Sequence, residues 1–534
     1  MSRFVRASKY RHVFGQQGKK EYGLDNIKVS NSAWDTNVVA ASARYISINW
    51  NASGGGAFAI LPLPSPFEPL PLGFPSKLPD LIPLARSHSA PVLDTDWSPF
   101  NDSVVASAGD DGKVMIWKVD EAALEGWGQE HWEPVDFEPV ARIDVSPRRV
   151  GQVLFHPTAN NVLASTTGDH VVKLWDLASP ESAKSVLSGH GDAIQSLAFN
   201  PSGNLLVTTC RDRKIRLFDP RASAEAVRTT EGHGGIKGAR VVWMGERDNI
   251  ATTGFSKMSD RQIAIWETAG LTNVKMTTID QTSGVLMPFW SDNNILFLGM
   301  RCARLLTAGK GDGNIRYYEY ENDQLYGLAE HKSSDPQRGM CFLPRRALNV
   351  SECEIARAYK VAGSSIEAIA FIVPRKSDSF QSDIYPPAPS AEPALSAGEF
   401  FGGKAAPPNL VSLDTGAITA GAPPSAVPTP SVSSPTLAKA AAPRISIDPT
   451  PSPTAKRPEP SPMPSSPLEP RTPARAYSAP GAGAGDDADA AALKDENARL
   501  NSELREARAQ IRNLELQVES IKANARKAAA LFGS

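Results

Sequence analysis

The side chains with chemistry to offer are three histidines, His88, His190 and His233, and five aspartates, Asp111, Asp169, Asp212, Asp260 and Asp312. An imidazole beside a carboxylate is the equipment of general acid–base catalysis. Each of these histidines opens a repeat, however, and each aspartate stands six residues before an aromatic ring: Trp117, Trp175, Phe218, Trp266 and Tyr318. The fixed offset assigns the aspartates to turns, where a buried, satisfied polar pair holds the chain. Gly54-Gly55-Gly56 lacks the Lys-Ser/Thr and helix start of a phosphate loop, so close strand packing accounts for it. No G-x-S-x-G or H-E-x-x-H is present. Cys210, Cys302, Cys341 and Cys353 form no C-x-x-C pair and have no histidine cluster nearby. The sequence therefore predicts no enzyme: no catalytic residue, no metal and no cofactor.

The elements that carry these residues are β-type runs. Ala106-Ser107-Ala108-Gly109-Asp110-Asp111 leads into Lys113-Val114-Met115-Ile116-Trp117, and Ala164-Ser165-Thr166-Thr167 leads through Asp169 into Val171-Val172-Lys173-Leu174-Trp175. The unit recurs roughly every 45–55 residues, the period of four-stranded propeller blades. Gly189-His190 and Gly232-His233 ahead of the inner strands, with an aromatic-Asp at Trp175-Asp176 and Phe218-Asp219, give the WD-repeat pattern. A single blade cannot bury its apolar faces, so the repeats must stack in a ring. Five blades are explicit. A sixth is expected at about 325–375, around Ile366-Glu367-Ala368-Ile369-Ala370-Phe371. A seventh is expected to join Trp34–Leu63 with an N-terminal strand around Val5–Phe14, and sharing of terminal strands closes the ring. The expected fold class is an all-β seven-bladed WD-repeat propeller over residues 1–375. Gly299-Met300-Arg301-Cys302-Ala303-Arg304 interrupts one blade, as a surface loop or as an artefact of the sequence.

Bulk properties exclude several classes. A net charge of −2 on 534 residues provides no global field for nucleic acid or anionic membranes. Four scattered cysteines fit a reducing cytosol. Met1-Ser2-Arg3-Phe4 lacks the apolar run of a signal peptide, and no stretch of 18 apolar residues is available to span a membrane.

Past the propeller, residues 376–413 retain apolar anchors (Phe380, Ile384, Tyr385, Phe400, Phe401) and read as an extension packed on it. Residues 414–490 shift to Pro, Ala, Ser and Thr and read as a disordered linker. It holds Ser/Thr-Pro dipeptides at Thr429, Ser434, Thr450, Ser452, Ser461, Ser466 and Thr472, sites for proline-directed kinases. Pro470-Arg471-Thr472-Pro473-Ala474-Arg475 fits an SH3-domain ligand. Residues 491–531 follow a heptad. Asn497, Leu504, Ile511, Val518 and Ala525 fall at a; Leu493, Leu500, Ala507, Leu514, Ile521 and Ala528 fall at d. That pattern predicts a parallel coiled coil and a homo-oligomer, with Asn497 fixing register. It leaves dimer and higher states open, and a single amphipathic helix docked on the propeller is the alternative.

Local charge singles out one face. Arg3, Arg6, Lys9, Arg11, Lys19, Lys20 and Lys28 stand against only Glu21 and Asp25 in the first 30 residues. That imbalance suits an acidic partner surface; an ordinary solvated strand edge explains it equally well. Arg211, Arg213, Lys214 and Arg216 form a second basic run whose alternation places several on one strand face. No aromatic stacking set accompanies it, which argues against nucleic acid.

Several motifs resemble the coronin family: Ser8-Lys9-Tyr10-Arg11-His12-Val13-Phe14-Gly15, Asn26-Ile27-Lys28-Val29-Ser30, Ala52-Ser53-Gly54-Gly55-Gly56-Ala57-Phe58, His88-Ser89-Ala90-Pro91-Val92-Leu93-Asp94 and Pro374-Arg375-Lys376-Ser377-Asp378. The resemblance covers residues 1–413 closely and the rest in layout. It implies an actin-filament binder of the cytoplasm and cortical cytoskeleton, oligomerised by its coiled coil. It also implies action on the branch-nucleating actin-related-protein complex and cooperation with cofilin. Lys28 takes the place of a basic residue that the family uses on actin, a point charge in place of an arginine fork. Family trimers often carry an arginine just before the apolar-x-x-apolar-Glu core; here Gln510 precedes Ile511-Arg512-Asn513-Leu514-Glu515, which puts a trimer in doubt. A WD-repeat trafficking or signalling adaptor without actin contact is the alternative function.

Overall fold

The computed structural model describes residues 6–71, 73–127, 132–300, 313–375 and 379–420. Arg3, Asp312, residues 301–304, the linker from residue 421 onward and the heptad positions of 491–531 lie outside the described residues.

The described residues form seven four-stranded antiparallel sheets and one small three-stranded sheet. Numbered along the chain, blade 1 runs from Val39–Ala41 to Leu84–His88 and blade 2 from Val92–Trp97 to Pro139–Asp144. Blade 3 runs from Val150–Phe155 to Ser185–Leu187 and blade 4 from Ile194–Phe199 to Arg228–Glu231. Blade 5 runs from Arg240–Trp243 to Thr272–Asp280 and blade 6 from Leu286–Ser291 to Gln324–His331. Blade 7 takes Gln337–Phe342, Glu354–Ala362 and Ser365–Ile372, and receives Phe14–Gln17 as its outer strand. First strands of successive blades touch from blade 1 to blade 6, Ile295–Met300 of blade 6 touches Gln337–Phe342 of blade 7, and Val39–Ala41 touches Gln337–Phe342, so the ring closes. The middle strands alternate Val, Ile, Leu, Ala and Phe on both buried faces, which is what stacking between neighbouring sheets demands.

Three expectations need correction. The N-terminal strand pairs Phe14 with Ile372 and Gln17 with Ile369, so it completes the last blade rather than the Trp34–Leu63 blade. The last blade has only three strands of its own, and a fourth covers the exposed edge of Ser365–Ile372. Gly299 and Met300 continue the strand Ile295–Met300, with Met300 opposite Leu286, so the interruption does not begin at Gly299. The hairpin Leu410–Val411 with Ile418–Thr419 carries regular structure beyond residue 413, where composition alone changes.

Trp34 belongs to no blade strand. Residues 30–38 cross between inner strands of four blades. Trp34 Nε1 donates to the Gly151 carbonyl in blade 3 (2.8 Å), and Thr36 Oγ1 donates to the Leu93 carbonyl in blade 2 (2.5 Å). Arg240 of blade 5 grips Asp35 (2.9 Å), and Arg338 of blade 7 donates to the Ser30 carbonyl (2.6 Å). Glycines make the room: a Cβ on Gly339 would lie 2.2 Å from the Asn37 carbonyl oxygen, and one on Gly151 would lie 2.6 Å from the Trp34 ring.

Candidate functional site

In blade 2 the histidine and aspartate meet as their spacing implies. His88 Nδ1 lies 3.0 Å from both oxygens of Asp111, and its Nε2 lies 2.8 Å from Ser107 Oγ. Trp117 Nε1 donates to the same hydroxyl at 2.9 Å. Asp–His–Ser in series is the order of a nucleophile relay. Here it cannot act as one, because Ser107 and the His88 side chain are fully buried and the Trp117 indole closes the hydroxyl's remaining side. Burial opposes ionisation of Asp111, but the bonds from His88, Ser89 and Lys113 outweigh it and hold its carboxyl below the usual range.

The other blades keep parts of this lock. In blade 4, His190 reaches Thr208 Oγ1 (2.9 Å), but Asp212 turns away to a bidentate pair with buried Arg216 (3.1 and 2.6 Å). Burial, and then the charge of Arg216, push His190 down to about 4. In blade 5, Thr252 Oγ1 is shared by His233 (2.9 Å) and Trp266 Nε1 (2.7 Å), while Asp260 bonds Ser256 instead (2.8 Å). Blade 3 has Ser146 in place of the repeat-opening histidine, bonded to Asp169, and keeps Trp175 on Ser165 (2.9 Å). Blade 6 puts Leu298 where the hydroxyl stands elsewhere, and Tyr318 faces Leu296 in the register that Trp117 keeps with Val105. Sequence reasoning missed the hydroxyl at the centre of the lock. A signal was available: Ser107 and Ser165 each stand ten residues before the indole they accept from. The pairing of every turn aspartate with a histidine holds in blade 2 alone among the described residues.

The basic N-terminal residues separate into two groups. Arg6 is spent inside the molecule, paired with Glu319 and Glu321 and stacked 4.3 Å from the Tyr326 ring. Lys9 donates to the carbonyl of Asp383. Arg11 is half-buried. Lys19, Lys20 and Lys28 are exposed on the segment that follows the ring-closing strand. Leu24 and Ile27 fasten this segment to the Ile366 and Ser364 carbonyls of blade 7 (3.3 and 2.8 Å for the facing N–H). Asp25 and Leu78 fasten it to the 76–80 loop, where Lys28 Nζ donates to the Asp80 carbonyl (3.0 Å) and sits 3.6 Å from its carboxylate. A polar cavity of about 380 Å³ opens beside Lys19 and Lys20, with Asp25, Asp335 and Glu367 on its wall. The second basic run is not a strand face. Arg211 and Arg213 stand in the turn before Lys214–Phe218, and Arg216 points inside. The described residues hold no group of three His, Cys, Asp or Glu placed to bind a metal, and no helix long and apolar enough to cross a membrane.

Comparison with known proteins identifies the ring. Residues 82–118 and 181–219 match the WD domain, G-beta repeat; residues 366–408 match a further type of WD40 repeat; residues 3–67 match a domain of unknown function, DUF1899. Coronin-A of Dictyostelium discoideum is 41% identical over 78% of this chain and 87% of its own. Human Coronin-2A is 37% identical over 77% of this chain and 75% of its own. The chain belongs to the coronin family. Coronin-like proteins of Schizosaccharomyces pombe and Saccharomyces cerevisiae are 49% and 44% identical, and the match spans 65% and 61% of their own lengths. The WD40 domain of Toxoplasma gondii coronin superposes with a TM-score of 0.66 at 28% identity, covering 76% of this chain and 99% of that one.

In this coronin the segment after the last blade is bound at both ends. Asn293 Nδ2 holds the Ile384 carbonyl (2.6 Å) together with the Tyr10 hydroxyl (2.9 Å), and Arg345 holds the Pro386 carbonyl (2.7 Å). At the far end Ala394 and Leu395 donate to the Thr158 carbonyl of blade 3 (2.9 and 3.1 Å). Ser396 and Glu399 form a capping box that starts the helix Ala397–Phe401. That helix seats buried Phe400 4.2 Å from the His156 ring. His156 Nε2 faces the Gly203 carbonyl (3.0 Å) while Nδ1 accepts from Ala159 N–H (2.9 Å), which fixes a neutral tautomer. Burial pushes its pKa down to about 4.

Proposed function

We propose that this coronin binds actin filaments through the propeller, with Lys28 at the centre of the contact and Lys19 and Lys20 beside it. Family membership supports the reading, and the single structural observation that carries it is the exposed lysine segment fastened across the ring-closing seam. Three exposed ammonium groups on one fastened segment suit an acidic protein surface, where they speed encounter and set orientation. Arg3 and Arg11 join this set by sequence, while Arg6 and Lys9 are engaged by Glu319, Glu321 and the Asp383 carbonyl. The heptad residues Leu493, Asn497, Leu500, Leu504, Ile511, Leu514, Val518 and Ile521 make the chain a homo-oligomer, so linked propellers crosslink filaments. A linker of 421–490 gives each propeller a reach of roughly 50 Å root-mean-square. Action on the branch-nucleating actin-related-protein complex, cooperation with cofilin, SH3-domain partners and a cortical location complete the proposal.

The test is filament co-sedimentation of the full chain, a chain ending at residue 490 and Lys28→Glu, across a salt series. The truncation binds more weakly and with salt sensitivity, because it lacks avidity. Lys28→Glu binds about tenfold more weakly at low salt, and the difference narrows as salt rises. Wild-type affinity in a folded Lys28→Glu protein removes Lys28 from the interface. No pelleting of the wild type with filaments at low salt ends the actin reading.

A further inference from the structure

Two neighbouring loops of blade 5 present a surface outside the filament contact proposed above. Gly232–Ala239 enters the inner strand, and Phe255–Asp260 joins the second strand to the third. Gly235 N–H donates to the Phe255 carbonyl (2.7 Å), and the Gly234 backbone lies against the Lys257 side chain, so the loops form one ridge. The ridge carries Ile236, 69% exposed, and Met258, 83% exposed. Exposed apolar side chains scattered singly are ordinary, but two brought together on adjoining loops form an apolar contact surface. Lys237 adjoins Ile236 and rests over the Phe255 ring (4.8 Å); Lys257 adjoins Met258. Gly232 N–H donates to the Arg213 carbonyl (2.7 Å), which brings a third exposed cation to the same ridge.

Most acids nearby are paired with cations: Asp212 with Arg216, Asp280 with Arg261 and Arg316, Asp192 with Arg211, and Asp35 with Arg240. Asp260, hydrogen-bonded to Ser256, and Glu231, exposed at the blade edge, keep their charge. By contrast, the exposed apolar pair Leu81 and Val135 lies among Asp80, Glu133 and Asp136.

We propose that the Ile236–Met258 ridge docks this propeller on an anionic lipid bilayer. The two apolar tips stand proud of the surface rather than lining a groove, the form that enters a headgroup layer. Lys237, Lys257 and Arg213 flank them with charge of the sign that anionic headgroups attract. The net charge of −2 does not oppose this, because screening confines the interaction to about 10 Å from the membrane.

The experiment is vesicle co-sedimentation of the full-length protein, using phosphatidylcholine alone and phosphatidylcholine with phosphatidylserine. Binding to the anionic vesicles alone is expected. Lys237→Gln with Lys257→Gln should weaken it about 30-fold, since each lost cation contributes about fivefold at an anionic surface. Ile236→Ser with Met258→Ser should weaken it about tenfold or more through lost apolar burial. All four side chains are exposed, and an unchanged melting temperature and unchanged filament pelleting confirm intact variants. No binding by the wild type, equal binding to both vesicle types, or unchanged binding by both variants overturns the proposal. Loss of filament pelleting in the variants, with vesicle binding intact, also overturns it and assigns the ridge to an acidic protein surface.

Discussion

Mild acid should release the C-terminal extension from blade 3, and His156 sets the size of the effect. The fully buried imidazole is locked neutral, with Nδ1 accepting from Ala159 and Thr158 N–H at 2.9 and 3.2 Å. A proton on Nδ1 would place a buried cation against two donors. Burial pushes the folded pKa to about 4, from an ordinary 6.5. A base with a depressed folded pKa contributes full stability above 6.5 and loses it as pH falls towards 4, because the opened state takes up the proton first. Between about pH 7 and about pH 5 this linkage amounts to about 2 kcal/mol, or roughly 20-fold in the opening equilibrium. Glu399 does not interfere, since Lys404 and Ser396 hold it down to about 2 and it stays ionised throughout. Hydrogen exchange read by mass spectrometry on residues 394–403, corrected for the chemical rate, measures the opening directly. Wild-type protein should show the acceleration; His156→Gln, which cannot titrate, should open more readily at neutral pH and show no further acid response. Equal acid acceleration in both proteins, or none in the wild type, refutes the assignment.

Ser107→Ala leaves His88 Nε2 and Trp117 Nε1 buried without a partner, at a cost of about 2–4 kcal/mol. Chemical denaturation should show it, and a loss under about 1 kcal/mol would mean that the hydroxyl is not the centre of the lock. Gly339→Ala drives a methyl onto the Asn37 carbonyl and should cost about 1–3 kcal/mol. Thermal unfolding that matches the wild type would show that residues 30–38 are loosely held. Lys28→Glu should leave thermal unfolding unchanged while weakening filament binding, because its one carboxylate partner, Asp80, is 85% exposed.

The sequence alone determined whatever is local and repeats. The offset from aspartate to aromatic recurs because each blade solves the same problem, a turn that must join two buried strands, and the register from Trp117 to Tyr318 follows it. The conversion of histidine and carboxylate from chemistry to structure was also legible, since their position at repeat boundaries said as much. Tertiary structure decided what depends on partners distant in the chain. Phe14–Gln17 finds its place on Ser365–Ile372, some 350 residues away, because the last blade has only three strands of its own. Arg6 and Lys28 look alike in sequence, yet Arg6 meets Glu319 and Glu321 of the neighbouring blade 6 while Lys28 meets an exposed loop. Asp212 and Asp260 keep the repeat spacing and still leave their histidines, because Arg216 and Ser256 offer closer bonds. Spacing along a chain fixes which groups can be neighbours within one sheet. Which cation is held between carboxylates and which stays exposed is set by what the closed ring brings beside it.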